Sequence, residues 1–289
     1  MEFIRDRPRK SLFISQSAYV SEILSVFNLD NCVPNGSQSD LSIILSETDS
    51  PQTDEEKSAM ANVPYRKAVG MLNWLAMMTR PDIAYATSVV SRFAANPGKA
   101  HWNAVKRIIR YLRGTDNLAL RIQPNGLNLI GYSDSDYGRD SDTYRPQGGI
   151  CFLMGGSLIV YKSARQQTVA NSTMVAELMS LGDAVQESMW LSGLFEELGI
   201  GNPSPVLIHQ DNQPTICFAK NKKNHSRARH VERKYAFVRE AISNKDCSIE
   251  YCTTDSMIAD IFTKPLSDKK IATFCKSLGL ETAPIQGGC

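Results

Sequence analysis

The sequence predicts a mixed α/β protein: a mainly helical first half, then a five-stranded sheet whose elements run βββαβα(α)βα. Three observations carry this expectation. Apolar residues recur at helical spacing through most of the chain up to Arg113, and the pattern changes to short extended runs after Gln123–Gly126, "QPNG". One long helical stretch then separates three strand-like runs from two more. With 289 residues, 42% of them hydrophobic, the chain can bury a sizeable core and has room for one or two domains.

In the first half, Ile14–Leu29 sets Tyr19, Val20, Ile23, Leu24 and Phe27 on one helical stripe, with Ser15 or Ser17 as its cap. Asp30 to Val63 is polar and punctuated, which predicts a long surface loop, partly disordered. Pro64–Thr79, Pro81–Ala94 and Gly98–Arg113 read as three helices, the first two opened by a proline whose missing N–H has no helical partner in a first turn. In the third, Trp102, Val105, Ile108, Ile109 and Leu112 form the buried stripe, while Lys106, Arg107, Arg110 and Arg113 gather on the remaining surface. That surface is either a solvated basic face or a helix that tracks phosphates.

In the second half, Leu127–Asp134, Gly148–Met154 and Ser157–Tyr161 are expected to form an antiparallel trio. A long helix follows over Ser172–Leu198, where Leu178, Leu181, Val185, Leu191 and Leu194 recur at helical spacing, and it makes the one parallel crossover. Then come a strand at Val206–His209, a helix from Gln213, a helix over Glu232–Ser243, a strand at Cys247–Cys252, and a last helical region from about Ser256. The expected domains are 1–122, mainly helical with a loop at 30–63, and 127–280, the α/β domain, with a flexible tail at 281–289.

Net charge is only +2, so affinity for a polyanion has to come from local basic surfaces. Seven cysteines without a C-x-x-C pair fit scattered thiols in a reducing compartment. The charged N-terminus lacks a leader pattern and no apolar run approaches a membrane span, which predicts an intracellular protein with no membrane partner.

Ligands of open α/β sheets bind at the C-terminal ends of strands, and aspartates stand at two of them. Gly131–Asp142, "GYSDSDYGRDSD", supplies Asp134 and Asp136; "IHQDN" supplies Asp211. Glu177 lies at the margin of the long helix's docking face, and Asp260 follows the fifth strand on the terminal helix. Four acids brought together repel, and such a cluster persists only when cations neutralise it. Mg²⁺ suits carboxylate ligands shared with a phosphate, and two such ions serve phosphodiester cleavage. Taken singly, the acids have plainer readings: turn residues for Asp136, Asp140 and Asp142, a helix cap for Asp255, surface charge for Glu177. Asp134 and Asp136 share a strand face, so parity does not separate them.

The blocks "YSDSDYG", "SLIVYKSARQQTVANSTMVAELMSL", "HQDNQPTI", "HSRARHVERKYAFVRE" and "TTDSMIADIFTKPL" give the second half a close resemblance to the ribonuclease H domain of copia-type LTR retrotransposons. "ISQSAYVSEIL", "PYRKAVGMLNWLAMMTRPDIAYATSVVSRF" and "HWNAVKRIIRYLRGT" make the first half similar to the thumb and connection region of the same elements' reverse transcriptase. The resemblance implies the C-terminal part of a Pol polyprotein with a ribonuclease H-like sheet. It also implies two-metal hydrolysis of the RNA strand of RNA·DNA hybrids, with Mg²⁺ (two ions, Mn²⁺ as substitute) held by Asp134, Glu177, Asp211 and Asp260. It selects Asp134 over Asp136. The family's polymerase signature ends in two adjacent aspartates and this chain has no Asp-Asp dipeptide, so no DNA synthesis is expected.

His225, Arg227, Arg229 and His230 form the densest basic segment and are expected at a nucleic-acid backbone, as are Lys106, Arg107 and Arg110. Ser135 and Asn212, beside two ligands, either hydrogen-bond a ribose 2′-OH or form turns. The implied partners are the hybrid and the remainder of a reverse transcriptase polyprotein, in a cytoplasmic virus-like particle or the nucleus. Departures from the family pattern, such as "STMVAEL" at Ser172–Leu178 and "RPQG" at Arg145–Gly148, leave a catalytically inactive, nucleic-acid-binding remnant as the alternative.

Overall fold

The computed structural model describes residues 1–123, 125–221 and 232–284. In chain order it has β1 (Glu2–Asp6), β2 (Ser11–Ser15), α1 (Ser17–Val26), α2 (Asp54–Met60), α3 (Tyr65–Met78), α4 (Ala84–Ser91), α5 (Lys99–Arg113) and β3 (Leu118–Ile122). There follow β4 (Leu129–Asp136), β5 (Gln147–Met154), β6 (Ser157–Arg165), α6 (Thr173–Glu197), β7 (Val206–Gln210), α7 (Gln213–Lys220), α8 (Glu232–Ser243), β8 (Cys247–Tyr251), α9 (Asp268–Ser277) and β9 (Leu280–Thr282). None of the helices among the described residues is long and apolar enough to cross a membrane.

The chain divides into two compact units, the described residues of Met1–Pro124 with Lys264–Cys289, and those of Asn125–Thr263. This corrects the expected boundary at 280. The reason is strand pairing: β9 runs antiparallel to β3, with Leu120 opposite Leu280, so everything after Thr263 joins the first unit. Glu281 and Thr282 are therefore strand residues rather than tail, and residues 285–289 lie outside the described part.

The first unit is also less purely helical than expected. It holds a four-stranded antiparallel sheet in the order β1-β2-β3-β9, and Ser11–Ser15 is strand, so the first helix begins only at Ser17. The expected loop at 30–63 contains α2 and a 3-10 turn, Glu47–Asp49, each opened by a capping box. Within the first unit, the buried Arg80 pairs with the buried Asp82 at 2.7 Å, and the Tyr111 hydroxyl donates to Asp82 at 2.8 Å.

The second unit follows its expected order up to β8, but the terminal helix α9 belongs to the first unit, and the chain makes two parallel crossovers rather than one, through α6 from β4 to β7 and through α7 and α8 from β7 to β8. Its sheet runs β6-β5-β4-β7-β8, with β6, β5 and β4 antiparallel and β7 and β8 parallel to β4. α6 crosses over one face and buries Leu181 and Val185 against Leu129, Ile150, Phe152, Val206 and Ile208. This is the ribonuclease H-like mixed sheet with flanking helices that the resemblance implied. It brings the C-terminal ends of β4 and β7 side by side.

Candidate metal centre

Asp134 stands two residues before the end of β4, opposite Gly149 of β5. A Cβ at Gly149 would stand 2.7 Å from Cγ2 of Thr263 and 2.8 Å from Cβ of Phe262. Glycine thus lets the 3-10 segment Ile258–Phe262 lie directly on the sheet, and the Thr263 hydroxyl that follows it donates to Oδ2 of Asp134.

Glu177 comes from the first turns of α6, which Ser172 caps by accepting from the Val175 N–H at 3.3 Å. Ser180, nearly a turn further on, donates to the backbone carbonyl of Asp134 at 2.8 Å and pins the helix to the end of β4. Gln210, the last residue of β7, joins the remaining parts. Its Nε2 donates to Oε2 of Glu177 at 3.3 Å, and its Oε1 accepts from the N–H groups of Asp211 at 2.8 Å and Asn212 at 3.1 Å. Thr254 donates to Oδ2 of Asp211 at 2.9 Å.

One carboxylate oxygen each from Asp134, Glu177 and Asp211 lies within 4.8 Å of the others. Asp134 and Glu177 are almost fully buried and Asp211 is half-buried. Charges so placed repel strongly, since little water remains to screen them. Every donor is a hard oxygen, the set that a divalent cation such as Mg²⁺ prefers over a softer ion, so the residues fit the implied metal.

Asp260 is fully buried on the 3-10 segment, not on the terminal helix as expected, and falls outside the group of three. Its charge still acts nearby. Burial first, and then the negative charges of Asp211, Asp260 and Asp134, push the Cys252 thiol up to about 11.

The other expected residues are distributed differently. Ser135 is buried, donating to the Gln147 carbonyl at 3.3 Å and accepting from Gln166 at 3.2 Å. Asn212 caps α7, accepting from the Thr215 N–H at 2.9 Å. Both therefore have a local structural duty. Lys106, Arg107 and Arg110 belong to the first unit, where Arg107 is tied to Asp40 and Ser37, each at 3.2 Å, and Arg110 is exposed. His225, Arg227, Arg229 and His230 lie outside the described residues. Sequence reasoning missed Gln210, Thr254 and Thr263; the only signal was their adjacency to acids in "HQDN", "TTDS" and "ADIFT".

No family model matches the chain. Among curated proteins it is 37% identical over 278 residues to the retrovirus-related Pol polyprotein from transposon TNT 1-94 of Nicotiana tabacum, covering 96% of this chain and 21% of that protein. It is 32% identical over 281 residues to the Pol polyprotein from transposon RE2 of Arabidopsis thaliana, covering 96% of this chain and 19% of that protein. The chain thus spans about a fifth of the length of these relatives. Among solved structures, LC11-RNase H1 in complex with RNA/DNA hybrid aligns with a TM-score of 0.36 at 14% identity, covering 47% of this chain and 94% of that one. Likeness along nearly its whole length, in the blocks that carry the acids and in the helical first half alike, means that the chain belongs to the retrovirus-related Pol polyproteins of copia-type retrotransposons.

Proposed function

We propose that this chain is a retrotransposon-type ribonuclease H that hydrolyses the RNA strand of an RNA·DNA hybrid, with Asp134, Glu177, Asp211 and Asp260 as ligands of two divalent ions, Mg²⁺ or Mn²⁺. The observation that carries the reading is the convergence of Asp134, Glu177 and Asp211 within 4.8 Å at the ends of β4 and β7 and the start of α6. When bound, the ions lower the pKa of a water and neutralise charge developing on the leaving oxygen.

The protein's own share is placement. Gln210 steadies one oxygen of Glu177, Thr254 steadies Asp211, and Thr263 steadies Asp134, so the acids face one another before any ligand arrives. Asp260 adds negative charge in the same region, which draws cations in and discourages the phosphodiester from approaching without them. The basic segment His225, Arg227, Arg229 and His230, with Lys106 and Arg110, is assigned to the nucleic-acid backbone. Because the relatives are several times longer, the rest of a Pol polyprotein is the natural partner, inside the cell.

The test is Mg²⁺-dependent cleavage of an end-labelled hybrid, with duplex RNA and duplex DNA as controls. Asp211→Asn should abolish cutting of the RNA strand while leaving hybrid binding little changed. Undiminished cutting by that variant would remove Asp211 from the centre.

A further inference from the structure

The turn that leaves the metal centre holds a residue in an unfavourable conformation. Between β4 and β5, Tyr144 takes a φ of +55°. For a bulky side chain this left-handed region is a strained outlier, and glycine or asparagine would occupy it more cheaply. Burial does not compensate, because Tyr144 is 70% exposed.

The backbone around it is nevertheless firmly built. Asp140, with a side chain only 6% exposed, pairs with Arg165 at 3.2 Å. It also accepts from the Thr143 N–H at 2.8 Å and hydroxyl at 2.9 Å, and the Tyr144 N–H donates to the Asp140 carbonyl at 3.0 Å. A nearly buried acid thus fixes a turn that holds an aromatic ring out in water, an arrangement that folding alone does not reward. Strain of this kind collects at sites of function. The turn starts at the end of β4, two residues after Asp134, and carries a second exposed ring, Tyr137, and the arginine next to Tyr144, Arg145.

We infer that Tyr144 is a positioning contact for the nucleic acid held at the metal centre. Bases in a paired strand are already stacked, so what such a strand offers is its sugar–phosphate edge. A tyrosine can meet this edge with its ring against a sugar and its hydroxyl on a phosphate oxygen or 2′-OH. Contacts of this kind fix register without touching the reacting atoms, and their loss is a loss of ground-state and transition-state binding together. The inference rests on the activity proposed above.

The experiment compares Tyr144→Ala, Tyr144→Gly and Tyr144→Phe in the full chain, measuring hybrid cleavage and Tm. KM should rise about tenfold for Ala and Gly with kcat changed less than about twofold, and Phe, which keeps the ring, should recover most of the affinity. The Gly variant should melt higher than the native chain, since it relieves the strained φ. Native KM in both the Ala and Gly variants would overturn the inference while leaving the proposed activity standing; a native chain that neither binds nor cuts hybrid would remove both.

Discussion

Asp134 and Asp136 sit two residues apart on one strand face, yet their work differs. Asp136 is spent on its own turn, accepting from the Gly138 N–H at 3.2 Å and pairing with Arg139 at 3.4 Å. Asp134 is covered by the 3-10 segment and met by Glu177 and Asp211. Their sequence context is nearly the same; the difference comes from what folds over each of them. Gly149 makes that covering possible, so Gly149→Ala should displace the Ile258–Phe262 segment, cost roughly 1–3 kcal/mol of stability by overpacking, and lower hybrid cleavage. Denaturant unfolding and cleavage of the variant check this, and native values in both would show that the close approach does not matter. Gln210 teaches the same lesson in reverse. Nothing in "HQDN" marks the glutamine above its neighbours, because its role depends on Glu177, which stands 33 positions away in the chain.

At the scale of elements, the long periodic helices were legible and the short strands of the first unit were not. α6 and α8 fall where their spacing put them, and α5 buries Val105, Ile108, Ile109 and Leu112 as expected. β1, β2, β3 and β9 were missed because runs of three to five residues with weak alternation carry little signal. β7 carries a testable consequence. Its His209 lies beside Tyr132 with ring centroids 5.0 Å apart, and its Nδ1 is buried without a hydrogen bond among the described residues. Burial lowers the His209 pKa from 6.5, with Glu250 opposing. The unfolded chain therefore takes up the proton first as pH falls, so this contribution to stability is intact above the ordinary histidine pKa and is lost on acidification. His209→Phe, which keeps the ring packing, should flatten the fall in Tm between about pH 7.5 and about pH 5.5. An unchanged pH profile would mean that His209 is not part of the acid limb.

For the whole molecule, the two units are drawn from interleaved stretches of chain. The first is closed by residues that come after the second, through β9 on β3 and through Cys275 of α9, whose sulfur lies 3.9 Å from the Tyr111 hydroxyl. A chain ending at Thr263 should therefore lose stability in the first unit, because Ile271, Phe274, Leu278 and Leu280 no longer complete its core. Hydrogen exchange resolved by peptide would show faster exchange in β3 and α5; unchanged protection there would mean that the closing segment adds nothing.

By itself, the sequence determined the long periodic helices and the succession of elements up to β8 in the second half, while the resemblance it carries singled out four acids as candidates. These are encoded locally, in apolar spacing and in short blocks of residues that lie together in the chain. Tertiary structure alone decided which oxygens meet, that Asp260 sits on a 3-10 segment outside the group of three, and that Lys264 onward completes the first unit. Those outcomes depend on contacts between residues far apart in sequence, whose free energy appears only once the intervening chain has closed.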